Sequence, residues 1–137
     1  MRVAIIGGTG FVGGYLVDAL LDRDHRVTAL VRPGSEGKLI PRDCTRKVSG
    51  DLSDLDALRQ TMDEADAVLY TAELLQEYPS RGITFEATQY QGVVDAIDAA
   101  RAAGVKRLLL MSAIGVKDPG TKYQSTKRRA ELHALAS

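Results

Sequence analysis

Two stretches of this chain carry residue types at spacings that can do chemistry. Near the start, Gly7-Gly8-Thr9-Gly10-Phe11-Val12-Gly13 sets glycines three residues apart. Glycines at 7, 10 and 13 permit a tight turn, a close approach of backbone N–H groups to an anion, and tight packing of a following helix. Near the end, Tyr123-Gln124-Ser125-Thr126-Lys127 sets a phenol and an ammonium four residues apart. On a helix that spacing puts both on one face. An ammonium beside a phenol favours the phenolate, which suits the tyrosine to take up and return a proton. Other reactive side chains are sparse. Cys44 is the single cysteine, so no intrachain disulfide exists; it fits a reducing compartment and reads as a thiol without chemistry. His25 and His133 have no carboxylate or cysteine at ligand spacing, so no metal site is expected.

These groups need elements to hold them. Residues 3–6 form a short apolar run ended by glycines, the mark of a strand covered on both faces. Residues 11–22 carry Val12, Leu16, Ala19 and Leu20 at helical spacing. Further strands are predicted over 26–31, weakly over 47–49, over 67–70 and over 107–111. Further helices are predicted over 54–62, with Ser53 as N-cap, over 84–103, ended by Gly104, and over 122–135. Strands that alternate with helices imply right-handed crossovers and a parallel sheet. The expectation is a single α/β domain over residues 1–137, a doubly wound parallel sheet of the Rossmann type. Its five visible strands are expected in the order 3-2-1-4-5. The loop over 73–82 is the least regular stretch and follows a strand, where ligand contacts gather in such sheets.

Composition narrows the function. The chain has 137 residues, 45% hydrophobic and 26% charged, with eighteen basic residues balanced by eighteen acidic ones. That balance gives no electrostatic footprint for nucleic acid or an anionic membrane. Lys127-Arg128-Arg129 reads as a solvated helix face, and five tyrosines, two phenylalanines and no tryptophan offer no stacking platform. No apolar run reaches the roughly 18 residues that span a bilayer, and the start is broken by glycines before it can serve as a signal segment. A cytoplasmic location is expected.

The sequence resembles the short-chain dehydrogenase/reductase superfamily in its extended and atypical branches. Gly7 to Gly13 looks like the family's GGTGFxG, and the resemblance continues through Gly50-Asp51-Leu52, Asp66-Ala67-Val68, residues 99–107 and Tyr123 to Lys127. It implies that a dinucleotide's pyrophosphate meets Gly7, Thr9, Gly10, Phe11, Val12 and Gly13. The second strand ends Leu30-Val31-Arg32 with no carboxylate to select NAD; Arg32, with Lys38 behind it, suits the 2′-phosphate of NADP, with NAD as the alternative. The resemblance also implies Asp51 and Leu52 at the adenine, unless Asp51 only shapes the turn before the next helix. It places Thr71, Ala72 and Lys127 along the nicotinamide ribose.

Tyr123 would be the general acid/base and Lys127 its partner. The family's third residue, a serine at the end of the fifth strand, falls on Ala113, leaving the adjacent Ser112 as the substitute candidate although neighbours on a strand point to opposite faces. Gln89 stands where relatives usually carry asparagine. These features are similar to NmrA-like regulators, isoflavone-reductase-like enzymes and proteins related to the complex I NDUFA-nine subunit. Relatives continue into further strands and a substrate-binding region, so the chain is expected to be the N-terminal part of a longer parent, with self-association favoured by what is left uncovered. Two functions are compatible. One is an NAD(P)-dependent oxidoreductase or sugar-nucleotide epimerase/dehydratase acting on an unknown small molecule. The other is a non-catalytic dinucleotide-binding redox sensor or assembly factor.

Overall fold

The computed structural model describes residues 1–39 and 45–137; Cys44 lies outside the described residues. Five strands form one sheet: β1 (Arg2–Ile6), β2 (Arg26–Val31), β3 (Thr45–Ser49), β4 (Ala67–Tyr70) and β5 (Leu108–Leu110). Their order is β3-β2-β1-β4-β5, and each neighbouring pair is parallel. The doubly wound Rossmann-type sheet predicted from the alternation of elements is present. β1 sits at the centre because Val3, Ala4, Ile5 and Ile6 are apolar on both faces and all buried.

Helix α1 (Phe11–Leu21) covers one face, where Val17 and Leu21 pack with Ile5, Val27, Ala29 and Val31. The chain then reverses its direction of travel across the sheet. Helices α2 (Leu55–Met62) and α3 (Gly92–Ala102) therefore lie on the other face, with Leu58, Met62, Val93, Ala96 and Ile97 against Ala4, Ile6, Val68 and Tyr70. Helix α4 (Lys122–Leu135) packs beside α3, and its Ala130 joins the same core. Among the described residues no helix is long and apolar enough to cross a membrane.

Several boundaries differ from expectation. β3 starts at Thr45 rather than near Lys47; as an edge strand it needs one apolar face, which its polar residues conceal. The N-cap of α2 is Asp54 rather than Ser53: the Asp54 carboxylate accepts from the Ala57 N–H at 2.9 Å. Ser53 instead gives both its N–H (2.8 Å) and its hydroxyl (2.6 Å) to Asp51 Oδ1. β5 is confined to Leu108–Leu110. α4 opens with a reciprocal capping box between Thr121 and Gln124.

The helix predicted over 84–103 opens with a π turn, Glu86–Gln91, before α3. The cause is Tyr70. Its buried hydroxyl donates to the Thr88 carbonyl at 2.5 Å, the carbonyl that an α-helix would offer to Gly92. The Gly92 N–H bonds Ala87 instead, five residues back, and a Cβ on Gly92 would stand 2.5 Å from the Tyr70 hydroxyl.

Candidate functional site

Because every strand is parallel, the turns after them gather at one edge of the sheet. The travel reversal opens a crevice there, beside β1. The glycine turn occupies its centre. Gly7 has φ +91°, and a Cβ on it would lie 2.5 Å from the Ala72 nitrogen, so the turn is packed directly against the end of β4. Gly13 lies so close to the turn that its Cβ would stand 2.1 Å from the Gly7 carbonyl oxygen. The Gly10 N–H bonds Gly7 O at 3.0 Å and closes the loop.

Helix α1 begins there with Gly10 as its N-cap, no side-chain cap and no acidic residue in its first turn. The first amides of an eleven-residue helix thus point from the crevice without a capping side chain, next to exposed Phe11 and Val12. Uncapped N–H groups at the positive end of a helix are the donor set that a pyrophosphate requires, and the residues present fit one.

On the β2–β3 side, Arg32 follows β2 and is exposed, and Lys38 is exposed on a short 3-10 turn (Glu36–Lys38). The Gly50 N–H bonds Val31 O at 3.0 Å, which holds Asp51 next to the end of β2. The Ser53 hydroxyl and amide, with help from the Arg32 charge, hold the Asp51 carboxyl below the usual aspartate value. Leu52 packs against the core and approaches Gly92. On the β4 side, Thr71 is buried and its hydroxyl donates to Ile6 O at 3.0 Å, tying the end of β4 to β1; Ala72 is half-buried beside Gly7.

The predicted pair does meet. Tyr123 and Lys127 lie on one face of α4, with the Lys127 ammonium 5.6 Å from the Tyr123 ring centre. Lys127 is almost wholly buried and reaches Met111 O at 3.4 Å. Between the two groups stands a residue that the sequence did not single out. The Tyr123 hydroxyl donates to Glu73 Oε1, and the Lys127 ammonium pairs with that same oxygen at 3.1 Å. Burial first, and then the hydrogen bond to Glu73, pushes the Tyr123 phenol up to about 12. That is opposite to the effect expected of a lysine neighbour alone.

The available signal was position: Glu73 opens the irregular loop after β4, fifty residues before Tyr123 and farther still from Lys127. The loop is held by Gln89 of the π turn, whose Oε1 accepts from the Leu74 N–H at 3.2 Å while its Nε2 is buried without a partner. Phe85 packs edge-on against the Tyr123 ring, with centroids 5.7 Å apart.

Ser112 is not brought to this triad. It lines a groove with Leu108, Leu110 and Glu131 that neither Tyr123 nor Lys127 lines. Its buried hydroxyl has no hydrogen bond of good geometry, yet it lies close enough to Glu131 to lower that carboxyl's pKa, ahead of Arg128. The basic run at 127–129 is more than a solvated face: each member has a carboxylate. Lys127 pairs with Glu73, Arg128 with Glu131 at 2.8 Å, and Arg129 with both oxygens of Glu86 at 2.8 and 3.0 Å.

Comparison with known proteins shows the family and the fold. A family model described as NAD(P)H-binding matches residues 7–136. The chain is 33% identical over 122 residues to a 3 beta-hydroxysteroid dehydrogenase/Delta 5-->4-isomerase of Mycobacterium tuberculosis, covering 84% of itself and 32% of that protein. It is 31% identical over 146 residues to the chloroplastic divinyl chlorophyllide a 8-vinyl-reductase of Oryza sativa, covering 98% of itself and 36% of that protein. A short-chain dehydrogenase/reductase superfamily protein from Agrobacterium tumefaciens, solved with bound NAD, superposes with a TM-score of 0.80. That pair is 26% identical, and the match covers 98% of this chain and 44% of the other. The chain thus spans about a third of the length of these curated relatives.

Proposed function

The chain belongs to the NAD(P)H-binding family, and from that premise we propose that it is the cofactor-binding part of an oxidoreductase or epimerase/dehydratase that prefers NADP(H). The observation that carries the reading is the uncapped start of α1 on a glycine turn too tight for side chains. A pyrophosphate there would take the first amides of α1 around Thr9, Gly10, Phe11, Val12 and Gly13. Asp51 and Leu52 would border the adenine. Arg32 and Lys38 would face a 2′-phosphate, for which two exposed cations beyond β2 and no carboxylate at its end are suited. Thr71, Ala72 and Lys127 would line the nicotinamide ribose.

Bound in this way, a nicotinamide ring gives or accepts a hydride. The chain's own part is to hold Tyr123 near the reacting oxygen and to manage its proton. Ser112 faces Glu131, so the substrate oxygen is left to Tyr123.

Calorimetric titration with NADPH and, separately, NADH tests the reading. Tighter NADPH binding that Arg32→Ala reduces by roughly tenfold, equal to about 1.4 kcal/mol, is expected. Preference for NADH removes the role of Arg32, and a folded chain that binds neither removes the function. One observation favours the second reading, a non-catalytic sensor: the proton that Glu73 holds on Tyr123. Tight binding without turnover of any alcohol or carbonyl by the longest natural form of the protein would select it.

A further inference from the structure

The shared oxygen of Glu73 bears on that choice. A tyrosine–lysine pair works as a base by letting the ammonium stabilise a phenolate. Here the Lys127 charge is already met by a carboxylate, 3.1 Å away, and the phenol donates to that same carboxylate oxygen. An oxygen that accepts from both an ammonium and a phenol is acceptor-only, the behaviour of an ionised carboxylate. A phenolate in this place would set two anions against each other across one hydrogen bond, with a single ammonium to answer both. The other carboxylates nearby are held by cations of their own: Glu77 accepts from the Phe85 N–H at 2.9 Å and pairs with Lys122 at 3.4 Å, and Glu131, which also feels the Lys127 charge, pairs with Arg128 at 2.8 Å.

We propose that Glu73, acting through the Tyr123 hydroxyl, is the proton acceptor of this site, with Lys127 holding its carboxylate in place. The proposal rests on the oxidoreductase reading. In the oxidising direction the substrate O–H bond breaks and its proton joins the Tyr123 oxygen. The phenol's own O–H bond breaks at the same time, and that proton joins Glu73 Oε1. The substrate carbon gives up its hydride to an oxidised nicotinamide dinucleotide, leaving a carbonyl, a neutral phenol and a neutral carboxylic acid. Reduction is the reverse. Tyr123 stays neutral throughout, so the upward push on its pKa is no obstacle. The Glu73 side chain, 23% exposed, can exchange the proton with water, whereas Lys127 at 5% cannot readily do so. Gln89 fixes the loop at Leu74, the residue after Glu73, and so sets where the carboxylate stands.

The test follows phenolate absorbance with pH in this chain, isolating Tyr123 by subtracting the Tyr123→Phe protein. In the natural sequence Tyr123 is expected to remain protonated well beyond the ordinary tyrosine value of about 10. In Glu73→Gln, which frees Lys127 to face the phenol, ionisation is expected at least about one pH unit lower. An unchanged titration in Glu73→Gln, or a phenolate already present at neutral pH in the natural sequence, overturns the proposal. If Glu73→Gln does not fold, ring-carbon NMR of tyrosine-labelled natural protein decides. The Tyr123 signal should keep its phenol shift well beyond the ordinary tyrosine value of about 10; a phenolate shift at or below that value overturns the proposal. NADPH titration of the same samples reads the parent hypothesis separately. Absent binding defeats that hypothesis and leaves the phenol titration to be read on its own.

Discussion

At Gly13 a side chain would collide with backbone, since its Cβ would stand 2.1 Å from the Gly7 carbonyl oxygen. Neither atom can move without opening the junction of β1 and α1. Gly13→Ala is therefore expected to cost about 1–3 kcal/mol in urea unfolding, the usual range for overpacking. It should also weaken dinucleotide binding at least tenfold by calorimetry, because the first amides of α1 move with the junction. Protonation makes a second residue-scale prediction. Burial and then Asp95 push the Tyr70 phenol upward, and burial and then Glu73 push Tyr123 up to about 12. The folded state thus binds these protons more tightly than the unfolded chain, whose tyrosines titrate near 10. Stability is full below that value and falls as pH rises above it. Urea midpoints measured up to about pH 11 should decline, and Tyr70→Phe and Tyr123→Phe should each flatten the decline.

Among the elements, the π turn depends on a hydroxyl that local sequence does not reveal. Tyr70→Phe would leave the Thr88 carbonyl without its 2.5 Å donor. The expected loss is about 1 kcal/mol, the lower end of the cost of an unsatisfied acceptor, because the bond is only part-buried. It should appear as a lower urea midpoint and as faster hydrogen exchange at Gly92, whose N–H is bonded five residues back. The same dependence explains what the sequence could and could not convey. Periodicity located the helix over 84–103 because Val93, Ala96, Ile97 and Ala100 repeat on one face. It could not locate the extra residue, because the diverting group sits on β4. Asp51, Ser53 and Asp54 all bear cap-forming side chains, and only the Asp51–Ser53 turn decides that Asp54 caps α2. The glycine turn and the Tyr123–Lys127 pair were legible because each is local. Glu73 was not, because its role arises from pairing across the fold.

For the molecule as a whole, the strand–helix alternation carried the topology, down to the order of the five strands. Coverage of the sheet is uneven. α1 shields one face beneath β1 and β2, while Leu109 on that side of β5, paired in register with Leu69, is 49% exposed. An apolar strand at a sheet edge invites pairing with another copy. Sedimentation velocity over a range of concentrations is expected to show reversible self-association of this chain, and Leu109→Lys to return it to monomer. Concentration-independent sedimentation of the natural sequence would dismiss that expectation.

The placement of β1 also sets an order of events in time. Val3 pairs with Val27 on one side and with Ala67 on the other, so the innermost of these five strands is the first of the five to be synthesised. Its partner β2 emerges soon afterwards, but its other edge stays bare until β4 has been made. During that interval a strand whose residues 3–6 are all buried in the finished fold is bare along one edge, with β2, α1, β3 and α2 made before its second partner. The strand made first of the five thus ends innermost, and the edge of β1 that borders the crevice has no partner in the sheet until β4 is made.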